Sequence, residues 1–226
     1  MILKTTNLSK KYLHKDGLVD ALNNVSFEVD EGDFVTITGA SGSGKTTLLL
    51  ALAGLIKITS GTIQIKDFNI VAASDSRLCD FRKNNIGFVM QSFALIPYLN
   101  AIENIMLPLV VSRLSKEEKT EKAFHLLQLV DLENRKNHLP RELSAGQQQR
   151  IAIARALINS PTLILADEPT GNLDPALSTD ILSLLKKINC QEKITVLMVT
   201  HSPLAAEFGN VKIKLSEGKI INQFED

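Results

Sequence analysis

The sequence predicts an α/β fold. Short apolar runs typical of buried strands alternate with segments whose apolar residues recur at helical spacing. A glycine-rich turn at residues 39–46 joins a β-rich run, 34–38, to a segment rich in Leu and Ala, 45–55. Strand, glycine-rich turn and helix in this order form a phosphate-binding unit of α/β proteins. The pattern therefore predicts both a fold class and a type of ligand.

Around this unit, the first part of the chain is rich in strand signals. Residues 2–12 and 21–29 carry alternating or β-branched residues and are separated by a polar turn at 14–17. Further strands are expected at 61–65 and 86–90. We therefore expect an antiparallel β subdomain at the N-terminus.

The middle of the chain changes to helical patterns. Ser115 and Glu118 form a capping box at the start of one helix, and a second helix is expected over about residues 146–159. These helices predict a helical subdomain, 92–160, inserted into a single domain of residues 1–226. The core and the β subdomain then comprise residues 1–91 and 161–226.

After the insertion the α/β alternation resumes. Apolar strands are expected at 162–166 and 194–200, and Asp174-Pro175 begins a helix between them. A closing hairpin, with strands at 211–215 and 219–221, turns at Glu217-Gly218.

Composition excludes several classes of function. The chain has 226 residues with 25 basic and 25 acidic side chains, so no basic surplus favours nucleic acid, and we expect no nucleic-acid partner. Cys79 and Cys190 lack metal-type spacing and predict two free thiols in a reducing cytoplasm. No signal peptide or membrane span is expected, since the longest apolar run, 105–111, is short and contains Pro108. If the protein works at a membrane, another chain supplies the membrane part.

The phosphate loop (residues 39–46) has the residue types that a nucleotide requires. Its glycines allow backbone N–H groups to approach phosphates, and the following helix directs its positive N-terminal end at the anion. Lys45 can reach the β- and γ-phosphates, and the Thr46 hydroxyl can bind Mg²⁺. The predicted nucleotide-binding residues are Gly39, Ala40, Ser41, Gly42, Ser43, Gly44, Lys45, Thr46 and the adjacent Thr47.

Two acidic residues follow the apolar strand at 162–166. Asp167 is placed to hold Mg²⁺, and Glu168 to polarise an attacking water. Acidic residues also end many strands without any function, and only the phosphate loop makes the functional interpretation the better one.

Five further segments resemble the motifs of ATP-binding cassette (ABC) ATPases. Residues 143–147, Leu-Ser-Ala-Gly-Gln, resemble the family's signature motif, commonly LSGGQ. Gln91 resembles the Q-loop glutamine, residues 171–174 the D-loop, and His201 the switch histidine. Tyr12 resembles the aromatic residue that stacks on adenine. All occur in the family's order and, with the phosphate loop, extend over almost the whole chain, so the resemblance implies an ABC ATPase with a P-loop NTPase core.

The resemblance also implies roles for these residues. Glu168, His201 and Gln91 would be catalytic, and Thr46, Gln91 and Asp167 would hold Mg²⁺. In the family, the signature motif of one subunit faces the ATP of a second subunit, and Asp174 lies at the dimer interface. The residues that would act on the second subunit's ATP are Ser144, Ala145, Gly146 and Gln147. Ala145 departs from the usual glycine.

Each of these residues also has a structural alternative. Ser144 and Gln147 form an S-x-x-Q capping box, which is compatible with anion binding at the same helix end. Tyr12 could pack in the core as a strand aromatic. His201 could be a turn residue before the Ser202-Pro203 helix start, and Gln91 could be a surface polar residue.

The sequences around Asp167 and Glu103 resemble one branch of the family, which serves macrolide and peptide export, lipoprotein release and cell division. That resemblance implies a homodimer with ATP and integral membrane permease subunits of the MacB, LolC or FtsX type. It also implies a cytoplasmic protein bound peripherally to the inner face of the cell membrane. The alternative is a regulatory ATPase that controls a membrane partner without transport. For the apolar run 105–111, contact with the membrane partner and burial in the helical subdomain both stay open.

Overall fold

The computed structural model describes residues 1–15 and 17–225. The strands are β1 (Leu3–His14), β2 (Gly17–Val29), β3 (Phe34–Thr38), β4 (Ser60–Ile65), β5 (Phe68–Asn69), β6 (Ile86–Met90), β7 (Leu163–Asp167), β8 (Thr195–Thr200), β9 (Val211–Ser216) and β10 (Lys219–Glu225). The helices are α1 (Lys45–Leu52), α2 (Asp75–Asn85), α3 (Ala101–Met106), α4 (Lys116–Leu129), α5 (Ala145–Leu157), α6 (Pro175–Glu192) and α7 (Pro203–Ala206). Short 3₁₀ helices occupy Leu107–Leu109, Glu133–Arg135 and Pro140–Glu142.

Within the described residues, the strands form two sheets. The larger has the order β10-β9-β3-β8-β7-β6, in which β9, β3, β8, β7 and β6 are parallel neighbours and β10 is antiparallel to β9. The smaller is antiparallel, in the order β2-β1-β4-β5. This confirms the α/β class and the N-terminal antiparallel sheet.

The larger sheet separates two hydrophobic cores. Alternate residues of a strand point to opposite faces, and β7 shows this directly. Ile164 and Ala166 join a core formed with α3, α4, α5 and α6, whereas Leu163 and Leu165 join one formed with α1 and the smaller sheet. Because β7 and β8 are apolar on both faces, they read as continuous apolar runs in the sequence.

Several element boundaries differ from the predicted ones. Helix α1 ends at Leu52 rather than near 55, and β10 extends beyond the predicted 221. Helices α2 and α3 were not predicted. Helix α2 buries only Leu78 and Phe81, which leaves little apolar periodicity in its sequence. In the turn predicted at 14–17, His14 and Gly17 are paired across the hairpin, and Asp16 lies outside the described residues.

Two expectations from composition can be compared with the structure. Cys79 and Cys190 are free and exposed thiols, as predicted. In the part of the chain that the structure describes, no helix is long and apolar enough to span a bilayer.

Candidate active site

The phosphate loop follows β3 and leads into α1, at the carboxyl end of the parallel strands. Gly42 and Gly44 have φ angles of 77° and 102°, a region that other residues rarely adopt. At Gly44 a side chain would also collide with the carbonyl oxygen of Ala21 in β2. The smaller sheet therefore lies directly against the last glycine of the loop.

Lys45 is buried, and its ammonium group lies against the backbone of its own loop. Its Nζ donates to the carbonyl oxygens of Gly39, at 2.8 Å, and Ala40, at 3.0 Å. Ala40 and Ser41 are exposed, and Thr47 is half-buried in the first turn of α1. The loop therefore concentrates one full positive charge and a helix N-terminus in the same place, as phosphate binding requires.

A support beneath the phosphate loop was not predicted. The N–H of Gly218, in the β9–β10 turn, donates to the Ser43 carbonyl at 3.0 Å, and the Gly218 carbonyl accepts from Asn23 N–H at 2.8 Å. The turn thus connects the loop to β2. The sequence predicted a hairpin turn at this position but did not indicate which segment the turn would contact.

Asp167 ends β7 beside the first turn of α1. The Thr46 hydroxyl donates to Asp167 Oδ1 at 3.2 Å. Burial raises the pKa of Asp167, and the charge of Glu168 raises it further, whereas the Thr46 hydrogen bond and the Lys45 charge lower it. Two of the three predicted metal ligands, Thr46 and Asp167, are therefore neighbours.

The catalytic turn (residues 168–171) begins at Glu168, which has an unusual φ of 46°. Its N–H donates to Val199 O and its carbonyl accepts from Gly171 N–H, both at 3.0 Å. Its carboxylate Oε2 lies 2.8 Å from Nδ1 of His201, which directly follows the neighbouring strand β8. The pairing of β7 with β8 thus brings Glu168 and His201 together.

Gln91 leaves the sheet beside Asp167, because Met90 is the β6 partner of Asp167. Its side chain donates to Asn172 Oδ1 at 3.2 Å, and Asn172 Nδ2 donates back to the Gln91 carbonyl at 3.0 Å. In the described part of the chain, no hydrogen bond joins Gln91 to Thr46 or Asp167. The structure therefore ties Gln91 to the D-loop, a contact that the sequence pattern did not indicate.

Tyr12 lies on β1 and is 39% exposed, so it is not a core aromatic. Its cross-strand partner is Val19 on β2, the strand that contacts the phosphate loop through Ala21. The ammonium of Lys10 lies 4.6 Å from the centre of the Tyr12 ring. An exposed aromatic ring near the loop is suited to stacking on a base.

The signature segment (residues 143–147) begins α5. Ser144 Oγ accepts from Gln147 N–H at 3.3 Å, and Gln147 Oε1 accepts from Ser144 N–H at 3.0 Å, which confirms the predicted capping box. Gly146 is buried, and a methyl group there would lie 3.1 Å from the Leu177 side chain. Ala145 is half-buried, so its methyl group fits the helix start.

Asp174 caps the next helix, α6, through a hydrogen bond from Leu177 N–H to its Oδ1 at 3.0 Å. Within the described residues, no hydrogen bond or ion pair connects 144–147 to the phosphate loop. By the elements that carry them, the predicted residues fall into two groups. One surrounds the phosphate loop, and the other lies at the starts of α5 and α6.

The apolar run 105–111 is divided between core and surface. Ile105 and Leu109 are buried, whereas Val110 and Val111 are 70% and 75% exposed. Nearby in sequence, Tyr98 is 78% exposed. We call Tyr98, Val110 and Val111 the exposed apolar group.

The fold and the site define a P-loop ATPase, and comparison with known proteins specifies its family. The family model "ABC transporter" matches residues 22–171. The chain therefore belongs to the ABC transporter family and is an ATPase of that family. This also confirms the family resemblance of the motifs.

Relatives and solved structures agree with this assignment. The chain is 44% identical over 223 residues to an uncharacterized ABC transporter ATP-binding protein, MJ0796, of Methanocaldococcus jannaschii, covering 97% of this chain and 95% of that protein. It is 41% identical over 220 residues to the lipoprotein-releasing system ATP-binding protein LolD of Syntrophotalea carbinolica, covering 97% and 96%. A dimeric structure of the MJ0796 cassette with ADP and Pi matches with a TM-score of 0.91 and 42% identity, covering 99% of this chain and 98% of that one.

Proposed function

We propose that this chain is the ATP-hydrolysing subunit of a membrane transporter that exports or extracts its substrate, and that it works as a homodimer with ATP and Mg²⁺. One observation carries the chemistry. Thr46, Asp167, Glu168 and His201 form an uninterrupted series beside the phosphate loop, joined by contacts of 3.2 Å and 2.8 Å. The series contains metal ligands at one end and a carboxylate base at the other.

The residues present fit Mg²⁺. Thr46 Oγ1 and Asp167 Oδ1 are hard oxygen donors 3.2 Å apart, and Mg²⁺ is bound through one or two such groups together with nucleotide phosphates. When bound, the ion would neutralise charge on the β- and γ-phosphates. Gln91 would join this set only after its hydrogen bond to Asn172 opens.

Glu168 is the proposed general base. Its carboxylate is only 21% exposed, and one of its oxygens already contacts His201, whose side chain is 61% exposed. The other oxygen, Oε1, can accept a proton from a water that attacks the γ-phosphate. His201 would fix the orientation of the carboxylate through Nδ1, and its second ring nitrogen, Nε2, would be available to contact the nucleotide.

The signature segment would complete the site of a second copy. The start of α5 combines a capped N-terminus with the exposed Ser144, which suits a phosphate group. Since this helix end makes no hydrogen bond to its own phosphate loop among the described residues, the ATP that it contacts would belong to the partner. The dimeric MJ0796 cassette, whose structure contains ADP and Pi, supports this arrangement.

A membrane partner would bind near the exposed apolar group. Three large apolar side chains that are each at least 70% exposed favour a protein contact. The similarity to LolD supports a permease partner, and we propose one of the MacB, LolC or FtsX type. The chain would then lie in the cytoplasm, bound peripherally to the inner face of the membrane.

ATP-dependent association tests the proposal. The protein alone should elute as a monomer, and Glu168→Gln with ATP should elute as a dimer, because the nucleotide bridges the interface and cannot be hydrolysed. Adding Ser144→Arg to this variant should prevent the dimer by placing a large side chain at the signature segment. A stable dimer without nucleotide, or an ATP dimer that tolerates Ser144→Arg, would contradict the model.

A further inference from the structure

Helix α5 contains a buried amide with no role in the function proposed above. Gln149 lies two residues beyond the signature segment and has no exposed surface. Its Nε2 donates to the carbonyl oxygen of Pro169 at 2.6 Å, while its Oε1 has no hydrogen-bond partner among the described residues. Glutamine is rarely buried this completely, so the contact with Pro169 requires an explanation.

Pro169 is the second residue of the catalytic turn and directly follows Glu168. Because Pro169 has no N–H to donate, its carbonyl is the one main-chain group through which it can be hydrogen bonded. Glu168 itself is in a left-handed conformation, which persists only when surrounding contacts enforce it. The bond from Gln149 therefore holds the Pro169–Thr170 peptide, one residue beyond Glu168, and so restrains the turn in which the Glu168 backbone lies.

Packing alone does not account for this residue. A Met side chain of similar size would fill the same space and would remove the unpaired Oε1, but it would take away the donor to the buried Pro169 carbonyl. What glutamine adds is the hydrogen bond to the Pro169 carbonyl. That bond joins the helix of the signature segment to the turn of the catalytic base within one subunit.

We propose that Gln149 is a positioning residue for Glu168. Through it, the position of α5, whose N-terminus contacts the second copy's ATP, sets the orientation of the carboxylate. Hydrolysis in one site is thereby coupled to engagement of the other site. This inference rests on the proposed role of Glu168 as the general base.

Steady-state kinetics of Gln149→Met test the inference. We expect kcat to fall about tenfold or more, because small displacements of a catalytic group have effects of this size. KM for ATP should stay within about twofold, because the phosphate loop is untouched. The double variant Gln149→Met/Glu168→Gln should still form the ATP-dependent dimer.

Asn189→Leu is the matched control. Asn189 is also a buried amide, and it donates to the carbonyls of Gly32 and Ile194, both at 2.8 Å. These residues precede β3 and β8, at the amino-terminal ends of the strands and away from the phosphate loop. Its loss should lower Tm but leave the kcat of the folded protein unchanged.

If Gln149→Met yields no folded protein, the isosteric Gln149→Glu tests the same hydrogen bond. Its kcat relative to that of the parent should fall as pH rises, because only the protonated carboxyl can donate to Pro169.

The outcomes separate the inference from the function on which it rests. Parent kcat in Gln149→Met, or a pH-independent kcat ratio for Gln149→Glu, would overturn the inference even if Glu168→Gln stops hydrolysis. Loss of the ATP dimer in the double variant would assign Gln149 a purely structural role and would also overturn it. Parent activity in Glu168→Gln would instead refute the proposed base.

Discussion

Nδ1 of His201 lies 2.8 Å from Oε2 of Glu168, so the residue after β8 restrains the carboxylate that follows β7. Removing the imidazole should release that carboxylate. We expect His201→Ala to lower kcat by about 10² or more, the usual contribution of such groups, with ATP affinity nearly unchanged. Stopped-flow binding and phosphate release would measure both quantities. His125→Ala, in helix α4, is the control and should retain the parent kcat.

Lys45 should be required for ATP binding. Lys45→Ala removes the positive charge enclosed by the phosphate loop and its bonds to Gly39 and Ala40, so calorimetry should detect no binding at concentrations that saturate the parent. Lys57→Ala, in which an exposed lysine beyond α1 is lost, should bind as the parent does. Tight binding by Lys45→Ala would refute the assignment of the loop.

The two loop glycines should differ in their tolerance of a methyl group. Gly42→Ala meets open space and incurs only the cost of its positive φ, about 1–2 kcal/mol. Gly44→Ala incurs that cost and also the collision with the Ala21 carbonyl, so its free energy of unfolding should fall further. Urea denaturation without nucleotide would measure both. Equal losses would mean that β2 can move away from the loop.

Asp167 should make stability depend on pH. Burial raises its pKa above the ordinary value of 3.8, so the folded state binds this proton more tightly than the unfolded state. The free energy of unfolding that it contributes is therefore greatest below pH 3.8 and declines as pH rises through the folded pKa. The effect is reduced by the partial exposure of the group.

Asp167→Asn tests whether the contribution of Asp167 to the free energy of unfolding declines as pH rises. The amide keeps an oxygen for Thr46 but cannot ionise. In EDTA, the variant should be more stable than the parent above the titration window and should approach the parent's stability below it. Denaturant midpoints at several pH values would show a difference that grows with pH. If the difference in stability between variant and parent shrank as pH rose, Lys45 and Thr46 would lower the pKa of Asp167 by more than burial raises it. With Mg²⁺ and ATP, the same variant should lose hydrolysis.

The exposed apolar group should be required for membrane coupling and not for chemistry. Val111→Asp should retain ATP-dependent dimer formation but lose co-purification with its permease, since a charge cannot be buried in an apolar contact without cost. Val71→Asp, an exposed valine beyond β5, is the control and should retain co-purification. Retained co-purification of Val111→Asp would place the permease contact elsewhere.

Local patterns were sufficient to predict much of the structure. Glycine spacing identified the phosphate loop, and the apolar run before Asp167 identified a buried strand. The capping boxes at Ser115 and Ser144 marked the starts of α4 and α5, because both partners lie within four residues. Asn100 and Glu103 form a third capping box, at the start of α3, with the same local spacing in the sequence.

Contacts between distant segments were not predictable in this way. Nothing in the sequence near Gln149 indicates that Pro169 will accept its hydrogen bond, and the pair of Gln91 and Asn172 is equally nonlocal. Such contacts depend on how strands are ordered in the sheet, which a single sequence does not specify. The weakly apolar α2 was missed for a related reason, since two buried residues give too little periodicity.

The support of Ser43 by Gly218 has a consequence for biogenesis. Contacts between segments so far apart in the chain form late, because a long loop must first be closed. A nascent chain that ends before residue 211 contains every residue of the phosphate loop but not the hairpin beneath it. On the ribosome, affinity for ATP should therefore arise only after β9 and β10 emerge, so nucleotide binding would mark the completion of folding.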